Sequence, residues 1–506
     1  MAFETIYGTG TIGRPEPLAR AAVRVESRVE LKAQAKKVVS TTAKVFLGEV
    51  ERTEAEVRIT GRVVTRVIFI DEHDGWNSEE KSDNFTEKLI LKDASSVVSV
   101  MPALNIIDTK VAESTGMVEA VHTVEVGLLG IITREVRWVS DLKGDLEVRR
   151  EEVTLSSFSK TVMQRFEIEE RLDLDKGCEG VLGTDVSASI RDLVMGEGKI
   201  NMRGILAANI SAVRSGEGHN VYNDNHEVEF LTQVTLPGVG LDDRVFGNVV
   251  VTNLTVRAEN KTKPELVLVV ELCFMGQVMT AQRITQVTDA FAYDNDLEFT
   301  RTGTETATML TPSNITAEVE GNLNMAEGSP FIARILSVEG ARIATINMIP
   351  ANDKVTAEGV MNVNLVYECE EKNVHTHNIQ LPFSTVVRME GCGTNHGIFA
   401  SVVILNTKIK ARRGRELFID ARLGINLSAS TTDTQTVLGN VIVGEAKTRD
   451  DSAIMIYTAE GRETLWDIAK RISVPMAEIV RQNPHLEHDV KPGDKVFIYR
   501  QIAVNF

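Results

Sequence analysis

A GxGxxG run, a His-x-His pair and two Glu-Glu pairs are the chemically suggestive features of this chain. Gly8-Thr-Gly-Thr-Ile-Gly13 has the glycine spacing of a dinucleotide loop, but that loop works only between a strand and a helix of a βαβ unit. Seven residues precede it, and Arg14-Pro-Glu-Pro17 follows, a run that opens no helix readily. A flexible or edge-strand lead-in is the reading that fits. His375-x-His377 places two imidazoles on one face of a strand, a spacing some metal sites use. No third ligand stands near in a recognisable pattern, so an exposed strand edge is expected. Glu169-Glu170 and Glu370-Glu371 would point to opposite faces of a strand and cannot converge on one bond. Cys178, Cys273, Cys369 and Cys392 lie far apart without a CxxC, which suggests neither a zinc site nor a disulfide framework and fits a reducing compartment. Trp76, among acids in the loop Asp71-Glu-His-Asp-Gly-Trp-Asn77, is either a contact residue or buried against its own unit. No catalytic residue, metal or cofactor is assigned, and the chain reads as a non-enzyme.

The elements around these residues belong to a large, acidic, mainly β protein. At 506 residues the chain exceeds one core and predicts three or four domains. No basic start followed by an apolar run opens it, so no secretory signal is expected. No run of about 18 apolar residues occurs, so no membrane span is expected. The net charge is −17. From Ser452 onward seven basic and seven acidic residues cancel, leaving 48 basic and 65 acidic residues, and all of that charge, on the first 451. Such a surface repels phosphate backbones, which argues against nucleic acid as a partner.

Residues 1–451 carry period-two runs of Val, Ile and Thr rather than helical periodicity. Arg24–Leu31 matches Glu167–Leu174, and Glu54–Gly61 matches Glu197–Gly204, both at an offset of 143. Asn352–Gly359 is a third copy, 155 residues further on. Behind each glycine alternate residues are apolar: Val63, Val67 and Phe69; Leu206 and Ile210; Met361, Val363, Leu365 and Tyr367. A polar loop follows in each copy (Asp71–Asn77, Ser215–Asn220, Glu368–Asn373), then a strand with Phe85, Phe230 or Phe383. A unit of about 145 residues suits a β-sandwich and is too long for a solenoid repeat. The expected division is a lead-in over 1–19, β repeats over 20–155, 156–301 and 302–446, a linker over 447–453 and a small domain over 454–500. Gly61, Gly204 and Gly359 should occupy equivalent places and mark a bulge or a close backbone approach.

The last segment has another period. Leu465, Ile468, Ala469 and Ile472 share one helical face, behind a capping-box-like Thr464 and Asp467. Pro475 suits the first turn of a second helix, and Asn483-Pro484 ends it, Asn tolerating the left-handed conformation. Pro492-Gly493-Asp494 turns into a strand over Val496–Tyr499. The order is strand-helix-helix-strand, with Leu465, Ile468, Ala469, Ile472, Ile479, Val480 and Val496 as the expected core of a separable domain. Thr464-Leu465-Trp466-x-Ile468-Ala469 with Asn483 and Pro492-Gly493-Asp494 resembles a LysM domain. The resemblance implies a ligand groove with Gly461, Arg462, Glu463 and Thr464 on one rim and Asn483, Pro484, His485 and Leu486 on the other. Family ligands are N-acetylglucosamine glycans. Here Arg462-Glu463 stands where the family usually has Gly-Asp, which favours a carboxylate of a protein partner over a sugar.

Three β units ending in such a domain resemble the SPOCS-domain spore morphogenetic proteins of the SipL type. The residues that carry the likeness are Val355-x-x-Glu358-Gly359-Val360, Val366-Tyr367 and Leu381-Pro382-Phe383. The resemblance implies a structural adaptor of spore coat assembly at the forespore surface, in the mother-cell cytoplasm. Its implied partner is the basement-layer ATPase polymer or another coat protein. Two alternatives stay open: a peptidoglycan-binding wall protein, and a self-associating fibre or surface-layer protein whose edge strands template further chains.

Overall fold

The computed structural model describes residues 3–92, 94–174, 177–214, 220–259, 265–448, 453–486 and 490–499. Residues 215–219 of the second polar loop, 449–452 of the expected linker and residue 500 lie outside the described residues. The first unit is built from β1 (Glu4–Glu30), β2 (Ala35–Arg52), β3 (Glu56–Asp71), β4 (Trp76–Ile90), β5 (Val97–Ser114) and β6 (Met117–Lys143). Its sheets run in the orders β1-β6-β5 and β2-β3-β4. The second unit repeats this with β7 (Leu146–Asp173), β8 (Cys178–Gly196), β9 (Lys199–Arg214), β10 (Val221–Thr235), β11 (Arg244–Glu259) and β12 (Glu265–Ala292), in sheets β11-β12-β7 and β10-β9-β8.

In the third unit the long first strand is split into β13 (Asn295–Met309) and β14 (Ser313–Asn324), interrupted where Pro312 has no N–H to offer a ladder. Then come β15 (Ile332–Ala351), β16 (Lys354–Cys369), β17 (Val374–Arg388), β18 (Gly397–Arg413) and β19 (Glu416–Ala446). β13, β14 and β18 all pair with β19, and β15-β16-β17 form the other sheet. The fold is thus mainly β, three repeated two-sheet sandwiches before a small α/β end, as the alternation of β-branched residues requires. Residues 4–19 form the first half of β1, and residues 155 and 302 lie inside β7 and β13.

The three glycines are equivalent. Gly61 faces Phe85, Gly204 faces Phe230 and Gly359 faces Phe383 across the second ladder of each unit. A β-carbon there would stand 2.7, 2.6 and 2.9 Å from Cε1 of the respective ring. The missing side chain is the space in which the ring lies, so each phenylalanine covers a glycine and enters the sandwich core.

Each sandwich extends into a two-stranded stem made by the outer half of the antiparallel pair of its first and last strands, β1 with β6, β7 with β12 and β13 with β19. A bulge recurs at a matching place in each stem, at Ser140, Thr288 and Gly439. The residues just before the bulge (Val139, Val287, Leu438) and two beyond it (Leu142, Ala290, Val441) meet in one buried cluster. A second set of bulges, Val39, Leu182 and Leu336, sits at matching places in β2, β8 and β15 and meets in another. Matching positions from all three units thus converge twice, which places the units around a pseudo-threefold axis. Head-to-tail contacts repeat too. The Ser187 hydroxyl donates to the Ile404 carbonyl at 2.7 Å, and Arg342 in the matching position donates to the Ile106 carbonyl at 2.8 Å. A heterologous contact that closes on itself makes a ring. In the third interface Lys44 holds the matching position but turns to Asp185 at 3.0 Å. There a cleft of about 1340 Å³ opens between the first and second units, reaching Arg66 and Asp185.

The glycine run of β1 is explained by the same packing. A β-carbon on Gly8 would enter the Trp138 ring, and one on Gly13 would enter the Phe158 carbonyl. Trp76 is half-buried and packs on the apolar junction around Val39 and Val366. His375 stacks on Tyr367, with ring centroids 5.6 Å apart.

Candidate functional site

The C-terminal module consists of β20 (Ile454–Thr458), α1 (Leu465–Ile472), α2 (Met476–Gln482) and β21 (Lys495–Tyr499). α1 starts at Thr464, whose side chain accepts from the Asp467 N–H at 3.3 Å while the Asp467 carboxylate accepts from the Thr464 N–H at 2.9 Å. That reciprocal cap satisfies two orphan donors. The bond from the Thr464 N–H holds the Asp467 carboxyl below the usual range. α1 ends in left-handed Ser473, φ 53°.

The module's core is Leu465, Ile468, Ala469, Ile479, Val496 and Ile498, with Ile472 half-buried against it. Val480, expected in this core, is 45% exposed: on a helix of two turns Ile479 takes the inward position and its neighbour turns out. Pro475 is the N-cap residue of α2 at φ −55° and ψ 134°, just before the first turn. Asn483 ends α2 with φ −127°, not in the left-handed region, and its side chain does the work. Fully buried, it donates to the carbonyls of Ile479 at 2.9 Å and Phe497 at 2.7 Å and accepts from the Phe497 N–H at 2.6 Å. It thereby locks the end of α2 to β21.

The residues expected to line a groove divide by what they already do. Glu463 is largely buried; it accepts from the Tyr457 hydroxyl at 3.0 Å and the Glu460 N–H at 2.7 Å, and pairs with Arg471 at 2.9 Å. Thr464 is committed to the cap, and Asn483 to its lock. Gly461 takes φ +60°, a left-handed turn with open space beside it, which suits glycine. Arg462 is exposed and makes no hydrogen bond or ion pair with the described residues. Pro484 and His485 are exposed, and Leu486 packs half-buried on the module's core. His485 also lies beside Phe497, with ring centroids 6.3 Å apart. No hydrogen bond or ion pair links the two rims among the described residues. Arg462, Pro484 and His485 are therefore the exposed side chains of the two expected rims that no hydrogen bond within the module engages.

The other face of α1 is occupied by the second unit. Trp466 packs edge-on against Phe291 of β12, with centroids 5.2 Å apart, and its indole N–H donates to Asp289 at 2.8 Å. Lys470 reaches the other oxygen of Asp289 at 2.6 Å. Lys447 donates to the Ala292 carbonyl at 2.9 Å and the Ser473 hydroxyl at 2.8 Å. Asp289, Phe291 and Lys447 were not legible in sequence as docking residues. Asp289 follows the stem bulge, the place held by Asp141 and Asn440 in the other units, and only that repetition marks it. The module is thus seated on the stem tip through Trp466, with the loop carrying Arg462 turned to solvent.

Among the described residues no group of His, Cys, Asp and Glu is placed to hold a metal, and no helix is long and apolar enough to cross a membrane. All four cysteines are free thiols.

Residues 332–412 match the family model of the SipL, SPOCS domain. The matched segment covers β15, β16 and β17 and all but the end of β18, that is, the inner sheet of the third unit and the next strand. It links the chain to sporulation proteins. A comparison with curated proteins finds no match.

Proposed function

We propose that this protein is a non-enzymatic structural adaptor of spore envelope assembly, whose C-terminal module is a LysM domain that docks a protein partner. The observation that carries the reading is the match of the third unit to the SPOCS domain inside a chain that repeats the same unit three times around one axis. A closed ring of sandwiches is a rigid platform, and a module fixed to its rim presents its loops in a constant direction. Glu463, Thr464 and Asn483 are consumed within the module, which leaves the exposed Arg462 as the cation of the site. Arginine recognises a carboxylate through a bidentate fork. A partner carboxylate on a coat protein, such as the basement-layer ATPase polymer, suits that position better than a neutral sugar. The setting this implies is the forespore surface, facing the mother-cell cytoplasm. The test is a pull-down from sporulating cells with the full chain and with Arg462→Glu. Capture of a coat protein that is lost with the charge reversal supports the reading, and equal capture by both chains contradicts it.

A peptidoglycan-binding role is the second reading, favoured by the strand-helix-helix-strand order itself and by the Asn483 lock that shapes the second rim.

A further inference from the structure

At the centre of the ring a third set of matching positions converges. Thr42 lies opposite Arg66, Asp185 opposite Asn209, and Glu339 opposite Asn364, where β2 pairs with β3, β8 with β9 and β15 with β16. The repeat has therefore brought a cation from the first unit to face acids from the other two. Arg66 pairs with Glu80 at 2.6 Å and Asp185 at 3.4 Å, and donates to the Thr184 carbonyl at 2.9 Å. Lys44 pairs with Asp185 at 3.0 Å. Glu339, only 2% exposed, has no ion pair among the described residues. Its carboxylate accepts from the Ser211 hydroxyl at 2.6 Å and from Ser337.

With Glu339 ionised, three carboxylates (Glu80, Asp185, Glu339) face two cations (Lys44, Arg66) across β2, β3, β4, β8 and β15; with Glu339 neutral the charges balance. Ser211 of β9, Ser337 of β15 itself, Asn364 of β16, Asn223 of β10 and Thr42 of β2 also stand near it and do not ionise. Burial pushes the Glu339 carboxyl up to about 7; the Ser211 bond and Arg66 pull it down, and the Asp185 charge adds to the rise. Burial also opposes ionisation of Asp185, but Lys44 and Arg66 outweigh it and hold that carboxyl below its ordinary range. β15 is the strand that carries the third unit against both others. The Val338 N–H donates to Asn223 at 2.5 Å, and Arg342 donates to the Ile106 carbonyl at 2.8 Å, on either side of Glu339. The open cleft reaches Lys44, Arg66, Glu80 and Asp185, giving water and protons a path to the cluster.

We propose that Glu339 makes closure of the ring proton-dependent: neutral, it lets β15 seat at the junction, and ionised, it leaves an uncompensated charge that loosens that seat. Its folded value lies above its unfolded one. The stabilisation is therefore complete below the ordinary glutamate range and is lost as pH rises through about 7. His122, held low by burial, works the other way below its ordinary value of 6.5, as does His375, so the signal is the difference from a variant that lacks only the carboxyl.

The experiment is hydrogen exchange and thermal melting of the full chain and Glu339→Gln at about pH 5.5 and about pH 8, with intrinsic exchange rates corrected. Glutamine keeps an acceptor for Ser211 and cannot ionise. The expected result is a melting temperature that falls with pH more steeply in the parent chain than in the variant. Amides near 337–342 of the parent chain should lose roughly thirtyfold protection between those two pH values, the loss that a carboxyl raised from 4.5 to about 7 implies. Parallel profiles for the two chains overturn the proposal. Should Glu339→Gln fail to fold, Asp185→Asn provides the second reading: with a negative neighbour gone, the loss of protection moves to lower pH, and an unmoved profile overturns the proposal equally.

Discussion

Replacing Gly204 by alanine tests the packing that defines the repeat. A methyl group there would lie 2.6 Å from Cε1 of Phe230 and 2.8 Å from the Ser189 carbonyl oxygen. Neither neighbour yields easily. Ser189 belongs to the paired strand β8, and Phe230 is 5% exposed with Phe166 at 6.2 Å between ring centroids. Alanine in place of glycine ordinarily stabilises a compatible strand position by about 0.4–1 kcal/mol through the unfolded chain. Overpacking a core costs about 1–3 kcal/mol, sometimes more, so a net loss of about 1–2 kcal/mol is expected. For a cooperative unit of about 150–250 residues that lowers the melting temperature by roughly 2–8 °C, at about 2–4 °C per kcal/mol. Scanning calorimetry of the full chain reads it. Phe230→Leu in the same chain shortens the obstructing side chain, so the double variant should lose less than the sum of the single losses, by about 0.5–3 kcal/mol of coupling. A neutral or stabilising Gly204→Ala, or strict additivity with Phe230→Leu, would show that the ring does not fill the space above the glycine.

Three further outcomes follow from the module. Asp289→Ala leaves the Trp466 N–H and Lys470 without their acceptor, at about 1–3 kcal/mol for the stranded donor; amides of α1 should exchange faster while those of β16 stay unchanged, and unchanged α1 exchange would show that the seat does not depend on Asp289. Asn483→Ala strands the Phe497 carbonyl and N–H, while the Ile479 carbonyl keeps the Asn483 backbone N–H, and should cost about 2–4 kcal/mol, enough to melt the module before the sandwiches; one undisturbed calorimetric profile contradicts this. Asp467 has its carboxyl held low by the Thr464 N–H, so its stabilisation is present above the ordinary value of 3.8 and lost as pH falls through the folded one. In Asp467→Asn the module's acid melting should lose that component, and an identical acid profile would remove the cap from the account.

Much of this architecture was visible in the chain. Glycine three times before an alternating apolar run, with a phenylalanine to follow, encoded one sandwich repeated, because a ring over a glycine needs both residues in fixed register. Thr464 and Asp467 announced the start of α1 because capping is local. What was hidden depends on distant pairings. Residues 155 and 302 look like polar breaks, but Ser and Thr there continue the long stem strands, whose partners lie far along the chain. The bulges Val39, Leu182 and Leu336 carry no turn chemistry and appear only once a ladder is drawn. Trp466 and Asp289 are 177 residues apart, and no periodicity connects them. Asn483 reads as a helix terminator; its buried lock on Phe497 is a tertiary fact. The central Arg66, Asp185 and Glu339 share no motif; Asp185 and Glu339 hold the repeat position that Thr42 holds in the first unit, and Arg66 stands opposite it on the paired strand.

The module's free rim is proposed to serve a protein carboxylate and not a glycan. Calorimetric titration of the full chain with N-acetylglucosamine oligomers tests it most directly. No binding tighter than about millimolar is expected, because Arg462 crowds the first rim and Glu463 and Asn483 are already bonded within the module. Affinity on the order of micromolar or tighter, weakened by substitution at His485, would contradict the adaptor reading and make the protein a binder of cell-wall glycan.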